Sequence, residues 1–164
     1  MEKPFYSPAD RRFRYIRTEI LGPKRYDDIM RQLMETKGFD PVPVGGQLWT
    51  DADGLRRLHR EGHVIGMHSH THPTNMASLS AAEQGSEFET NRAVLTSILG
   101  EPPTTVAHPT GSYGSETLQI LARLGIEIGF RADMAEGYNS RMELPRLNHA
   151  MLIKAMQHRG EGDD

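Results

Sequence analysis

The sequence contains no cysteine, and this absence removes several classes of chemistry. Without thiols the chain has no disulfides, no thiolate nucleophile and no sulfur ligands for zinc or iron. Any metal site must therefore be built from histidine, aspartate or glutamate side chains. The chain has eight histidines, so imidazole is the ligand to be expected.

The chain also lacks a strong charge of one sign and a long apolar run. It carries 19 basic and 22 acidic residues, which gives a formal net charge of −3. This balance predicts neither nucleic acid nor an anionic membrane surface as a partner. No stretch approaches the roughly 20 apolar residues of a membrane span, and the first residues lack the apolar core of a secretory signal. We therefore expect no membrane span and, by default, a cytoplasmic chain.

Helical patterns alternate with short apolar runs along the chain. Capping residues and terminal glycines predict helices over 7–22, 24–38, 51–62, 80–100 and 114–125, with a further helix near the C-terminus. Short buried strands are predicted over 63–69, 104–109 and 126–132. Prolines and glycines in 39–49 predict a loop. The alternation indicates an α/β fold with a parallel sheet, which at this length is either a small open layer or part of a (β/α) barrel.

The densest cluster of titratable side chains is the stretch GHVIGMHSHTHP, residues 62–73. Its alternating histidines, His68, His70 and His72, follow an apolar run directly. In α/β folds, functional side chains gather at the C-terminal ends of parallel strands. An extended backbone would put His68 and His70 on one face, whereas a turn at Ser69 would bring His68 and His72 together. Either arrangement offers two imidazoles to one divalent metal, and the alternative is a solvated polar loop.

This stretch resembles the His-[Ser/Thr]-x-x-His motif of the polysaccharide deacetylases, the NodB-homology or carbohydrate esterase family 4 proteins. His68, Ser69 and His72 fall on the motif positions, and a Gly-His-x-Ile-Gly run precedes them as it does in the family. The resemblance implies a distorted (β/α) barrel in which His68 and His72 ligate a divalent metal, zinc or else cobalt or nickel. His70 occupies a variable position, and the resemblance implies that it is either a bystander or a residue that contacts a metal ligand without binding the metal.

Two later segments resemble further motifs of the same family. VAHPTGSYG is similar to the Arg-x-Pro-[Phe/Tyr]-Gly motif, with Pro109 and Gly111 matching as substrate-site residues. Thr110 stands where the aromatic residue usually is, and the resemblance implies that its backbone N–H helps to hold the oxyanion. Residues 147–149 fit the Leu-x-His motif, which implies that His149 is the general acid. Asp133 is a loose candidate for the carboxylate that orients His149.

The family's first motif, Thr-Phe-Asp-Asp-Gly, is not present in this sequence. It would supply the catalytic base and the third metal ligand. Asp27 and Asp28 are paired, but they lie in a helical pattern and are interpreted as surface charges. We therefore expect one domain over residues 1–160 that lacks the first strand, followed by a charged tail at 161–164. The chain is expected to be either a fragment of a longer deacetylase or a degenerate member of the family.

The resemblance implies a metal-dependent hydrolase that removes N-linked acetyl groups from a carbohydrate. Two alternatives stay open: a non-catalytic carbohydrate- or metal-binding remnant, and a His-x-His amidohydrolase or phosphoesterase. The expected partner is a carbohydrate. A missing first strand would also leave an exposed sheet edge, which predicts homo-oligomerisation.

Overall fold

The computed structural model describes residues 6–137, 139–147, 149, 151–153 and 156. The chain divides into two compact units, of which the first ends at Asp51 and the second begins at Ala52. The single domain over 1–160 stays a prediction, and the charged tail at 161–164 lies outside the described residues. No helix in the described part of the chain is both long and apolar enough to cross a membrane.

The first unit consists of helices. They are α1 (Pro8–Tyr15), a π-helical segment (Ile16–Leu21), α2 (Gly22–Thr36) and α3 (Val42–Leu48). Ser7 begins α1 with a reciprocal capping box to Asp10, which satisfies two N–H groups that the first turn leaves open. Between residues 6 and 51 no described residue is buried.

The paired aspartates lie on an exposed part of α2, as the sequence predicts. Asp27 is exposed, and the carboxylate of Asp28 pairs with Lys24 at 3.4 Å and with Arg31 at 3.0 Å. Both partners of Asp28 lie one turn away on the same helix, and such exposed pairs contribute only about 0.3–0.5 kcal/mol each. These contacts identify Asp28 as a helix-surface charge.

The predicted loop at 39–49 was partly wrong, because α3 occupies most of it. Pro41 is the N-cap of this helix and Pro43 lies in its first turn, where the missing N–H has no intrahelical partner in any helix. The carboxylate of Asp40 accepts the Val42 N–H at 3.0 Å. Proline is favourable at the start of a helix, so the two prolines that predicted a loop instead begin α3.

The second unit alternates helices with short strands. Its elements are α4 (Ala52–Arg60), α5 (Ala81–Leu99), β1 (Thr105–Ala107), α6 (Ser115–Arg123) and β2 (Ile128–Phe130). Among the described residues, 3₁₀ turns lie at Met76–Ser78 before α5, at Pro109–Gly111 after β1 and at Arg141–Glu143 after β2. Ser80 begins α5 with a capping box to Glu83, and Gly100 ends it in the left-handed conformation, as the sequence predicts.

The sheet is parallel and small. β1 and β2 pair in parallel with Val106 opposite Gly129, and single parallel bridges extend the sheet to Met67 on one side and Leu144 on the other. The strand predicted over 63–69 is therefore reduced to one bridge. The coarse prediction of an α/β fold with parallel strands is confirmed, with more helix and less strand than expected.

The core of the second unit lies between these strands and two helices. Its buried side chains come from the sheet, from α5 and α6, and from the connections, and they are Met67, Met76, Phe88, Leu95, Val106, Ile120, Leu121 and Ile126. Burying a side chain of this size contributes about 1.5–3 kcal/mol. This packing fixes the end of the sheet at which the histidine-rich loop begins.

Candidate functional site

The histidine-rich loop leaves the sheet at Met67 and turns sharply. The Met67 N–H donates to the Thr105 carbonyl at 2.8 Å, and the Ala107 N–H donates to the Met67 carbonyl at 2.9 Å. Ser69 and His72 then adopt left-handed backbone angles, with φ of 70° and 58°. The Ser69 hydroxyl accepts the His72 N–H at 3.1 Å and closes the turn.

This turn brings His68 and His72 together. Their ring centroids are 4.9 Å apart, and the two planes meet at 63°. Of the two arrangements that the sequence left open, the structure therefore has the turn at Ser69. The His70 side chain is exposed and this residue contacts the rest of the unit through its main chain, because its N–H donates to Glu87 at 2.9 Å.

The ring of His68 is fixed by the neighbouring strand. Its Nδ1 lies 2.6 Å from the Ala107 carbonyl oxygen, which can only accept, so Nδ1 carries the proton. Partial burial lowers the pKa of His68, against the raising effect of the Ala107 carbonyl, and this favours the neutral ring. In that tautomer Nε2 carries the lone pair and is the atom able to bind a metal.

Helix α5 holds the loop from the other side. The Glu87 carboxylate accepts the N–H groups of His70 and Thr71 at 2.9 and 2.8 Å and the Thr71 hydroxyl at 2.6 Å. One turn later, the Asn91 side-chain oxygen accepts the His68 N–H at 3.0 Å. Sequence reasoning missed both residues. The only available signal was a polar pair spaced i, i+4 on a helix that otherwise packs on the core.

The second predicted motif forms a turn beside the loop. Pro109–Gly111 is a 3₁₀ turn in which Thr110 has a φ of 54°, and the Thr110 hydroxyl donates to the Thr74 carbonyl at 2.8 Å. Pro109 is buried and Thr110 is exposed. Gly111 has a φ of 76°, and a Cβ there would lie 3.2 Å from the Ala132 Cβ, so a larger residue would be strained. The hydrogen bond to Thr74 places this turn next to the end of the histidine motif.

A buried cluster supports the Pro109–Gly111 turn. His108 is fully buried, its Nε2 donates to the Met142 carbonyl at 2.8 Å, and its ring stacks on Tyr113 with centroids 4.2 Å apart. The Tyr113 hydroxyl donates to the Glu143 carboxylate at 3.2 Å. Burial lowers the pKa of His108, so its ring is favoured in the neutral form. His108 was not among the predicted site residues, although its position between a predicted strand and a proline is visible in the sequence.

The structure also describes two other predicted site residues. His149 is exposed. The Asp133 carboxylate accepts the Ala135 N–H at 3.0 Å and lies 3.6 Å from the Arg131 guanidinium. The predicted pairing of Asp133 with His149 stays a prediction.

The two histidines can provide two metal ligands. Their rings are adjacent, and the proton on Nδ1 of His68 leaves Nε2 as its ligand atom. Among the described residues, no group of three or more histidine, aspartate or glutamate side chains is arranged to hold a metal ion. Zinc sites in enzymes commonly have three protein ligands. The residues present thus fit a divalent metal as part of a site.

Comparison with known proteins matches the chain to a family model and to similar curated proteins. The family model for polysaccharide deacetylase matches residues 25–129 and crosses the boundary between the two units. A chitin deacetylase from Pestalotiopsis sp. is 31% identical over 112 residues, which cover 65% of this chain and 37% of that protein. A gellan lyase from Bacillus sp. is 40% identical over 86 residues, covering 52% of this chain and 4% of that protein. The chain thus spans well under half the length of these relatives.

Solved structures share the fold at low sequence identity. The Streptococcus pyogenes deacetylase PplD in complex with acetate superposes with a TM-score of 0.55 at 19% identity, covering 87% of this chain and 72% of that one. The deacetylase domain of BpsB from Bordetella bronchiseptica gives a TM-score of 0.52 at 16% identity, covering 61% and 51%. At such identities the likeness establishes the fold alone.

Proposed function

The chain belongs to the polysaccharide deacetylase family, and from that membership we propose that it is a metal-dependent hydrolase that removes N-linked acetyl groups from a carbohydrate. The family match covers the histidine loop, the Pro109–Gly111 turn, β1 and the first two residues of β2. The substrate is proposed to be a polymer or oligomer of N-acetylated sugar, in line with the name of the chitin deacetylase relative.

The observation that carries the proposal is the pairing of His68 and His72. Their rings touch edge to face, and the Ala107 carbonyl orients the His68 ring. We propose that these two side chains hold the divalent metal, with zinc as the first candidate and cobalt or nickel as substitutes. When bound, such an ion lowers the pKa of water and polarises a carbonyl oxygen.

The remaining roles follow from the reaction. Hydrolysis breaks the amide C–N bond, releases acetate and leaves a sugar amine, which requires oxyanion stabilisation and a proton for the leaving nitrogen. We assign the first role to the backbone N–H of Thr110 and the second to His149. Pro109 and Gly111 shape the turn that carries Thr110, and Gly111 allows it to approach Ala132. Asp133 is proposed to orient His149.

One observation favours a second candidate function. Full hydrolysis requires a general base and a third ligand, and the part of the chain that the structure describes has no such third carboxylate or imidazole arranged beside His68 and His72. The sequence also lacks a Thr-Phe-Asp-Asp-Gly motif. A chain with only two ligands would bind metal or carbohydrate with little turnover, because the absence of a general base typically lowers the rate by about 10²–10⁴-fold.

Metal titration with three variants tests the site. Zinc and cobalt binding to the full chain should be lost in His68→Ala and in His72→Ala. The matched control is His70→Ala, in the same loop, which should bind as the wild type because the His70 contact to Glu87 is made by the main chain. Equal losses in all three variants, or no binding by the wild type, would refute the assignment.

Acetate release then separates the two functions. Metal-loaded chain should liberate acetate from oligomers of N-acetylglucosamine and leave p-nitrophenyl phosphate intact. Stoichiometric metal binding with no acetate release would support the binding function. Phosphate release instead would favour the His-x-His phosphoesterase alternative.

A further inference from the structure

Helix α5 carries two polar residues, Glu87 and Asn91, that face the histidine loop and have no role in the reaction described above. We propose that Glu87, assisted by Asn91, is a positioning residue that holds the loop in the conformation in which His68 and His72 meet. The inference rests on the proposed metal site and adds to it the support on which that site depends. Neither residue is assigned as a ligand.

Hydrogen bonds fix most of the main-chain N–H groups of the loop. The N–H groups of His68, His70 and Thr71 all donate to side-chain oxygens of α5, and the Thr71 hydroxyl also donates to one of them. The His72 N–H is accepted by Ser69 within the loop. Four of the five residues from 68 to 72 therefore have their N–H direction fixed, and three of these four are fixed by one helix.

The loop needs this support because its conformation is strained. Ser69 and His72 both have positive φ, which is unfavourable for L-residues because of their Cβ atoms. Such positions persist only where surrounding contacts determine them. Without acceptors on α5, the loop would relax toward extended angles, and an extended backbone would separate His68 from His72.

Helix α5 is a rigid base for these acceptors. It runs for 19 residues from the Ser80 capping box to Gly100. Phe88, adjacent to Glu87, is fully buried in the core, and Leu95, one turn after Asn91, is also buried. The side-chain amide of Gln84 donates to the Leu79 carbonyl at 2.8 Å and accepts from Thr117 at 2.7 Å, which ties the start of α5 to its neighbours. The position of Glu87 is therefore set by packing that is independent of the loop.

The proposed role is geometric, so an amide should replace the carboxylate. In Glu87→Gln the side-chain oxygen can still accept the two N–H groups that share one carboxylate oxygen. The new NH₂ can donate to the Thr71 hydroxyl, which reverses its own direction. Glu87→Ala removes all three acceptor contacts. Glu89→Ala, at an exposed position two residues along the same helix, is the matched control.

Two measurements on the full chain test the inference. In the metal-free chain, proton NMR should show a nuclear Overhauser effect between the rings of His68 and His72 in the wild type, Glu87→Gln and Glu89→Ala, and this effect should be lost in Glu87→Ala. In zinc titrations, Glu87→Ala should raise the dissociation constant about 10–100-fold, the usual cost of losing an outer-shell partner. Glu87→Gln should stay close to the wild type. If Glu87→Ala does not fold, Thr71→Val removes the hydroxyl contact from the loop side and should raise the constant by a smaller factor.

The outcomes distinguish the inference from the proposed function. If Glu87→Ala matches Glu89→Ala in both the His68–His72 ring contact and zinc affinity, the positioning role is wrong even where the wild type binds zinc. If Glu87→Gln weakens zinc binding as much as Glu87→Ala while the ring contact is kept, Glu87 acts through its charge, and positioning is again overturned. If the wild type binds no zinc but Glu87→Ala removes the ring contact, the positioning role is supported and the metal site is wrong.

Discussion

Acidification from about pH 7.5 to 5 should destabilise the unit that begins at Ala52 through the imidazole of His108. This ring is fully buried, stacks on Tyr113 and donates from Nε2 to the Met142 carbonyl. Its Nδ1 is buried and has no hydrogen-bond partner among the described residues. A proton added at Nδ1 would therefore be an uncompensated charge in the core, apart from the nearby Glu143 carboxylate, which opposes the effect only in part.

The direction and the size of the effect of pH on the free energy of unfolding follow from proton linkage. Burial lowers the pKa of His108 in the folded chain below its usual value of about 6.5, so the unfolded chain binds the proton first as pH falls. Stability is then complete above about pH 6.5 and decreases below it, by at most about 1.4 kcal/mol per pH unit for one proton. Burial also lowers the pKa of His68, so the two rings together set a limit of about 2.7 kcal/mol per pH unit.

Urea unfolding in EDTA at several pH values above about 5 measures this slope. The range excludes carboxylates such as Glu83, whose pKa is lowered by hydrogen bonds from Ser80 and whose contribution is lost only below about pH 4.5. His108→Gln keeps an N–H donor for the Met142 carbonyl and removes the titrating ring, so it should reduce the slope by up to about 1.4 kcal/mol per pH unit. An unchanged slope in this variant would show that His108 does not carry the effect.

Three further substitutions test the packing and capping described above by thermal unfolding. In Gly129→Ala the added Cβ would overlap the Met142 carbonyl oxygen, so the sheet must shift, which should lower the stability of the fold by about 1–3 kcal/mol. Gly85→Ala on α5 has open space around the new Cβ and should raise the stability of the fold by about 0.5–1 kcal/mol. If Gly129→Ala is as stable as the wild type or more stable, the close approach at Gly129 is wrong. Ser80→Ala removes the capping box with Glu83 and should cost about 1 kcal/mol, and a Tm equal to that of the wild type would contradict it.

Local rules predicted the helices of the second unit well, because their ends depend on single residues. Ser80 with Glu83 and the left-handed Gly100 mark α5 in the sequence as they do in the structure. The strand at 63–69 was overestimated because pairing depends on partners far along the chain. Only Met67 finds one, opposite Val106, and apolar periodicity cannot report that.

The residues of the candidate site also fall into those that local sequence could predict and those that it could not. His68 and His72 could be found from the sequence because their spacing is local, and the turn at Ser69 that joins them is local as well. Glu87 could not be found, because its partners lie 16 and 17 residues away and its function depends on where α5 packs. Side chains that support a site from another element have no fixed spacing from it.

Ala107 connects the two halves of the candidate site. Its N–H holds Met67 at the start of the histidine loop, its carbonyl orients the His68 ring, and its chain continues directly through His108 to the Pro109–Gly111 turn. The distance between the proposed metal ligand and the proposed oxyanion donor is therefore fixed largely by β1. Within the part of the chain that the structure describes, the side-chain hydrogen bonds of Glu87 go to the loop. A displacement of β1 must alter metal binding and the oxyanion turn together, whereas loss of the α5 contacts acts directly on the histidines and reaches the turn through the hydrogen bond from Thr110 to Thr74. This difference makes the two supports separable by mutation.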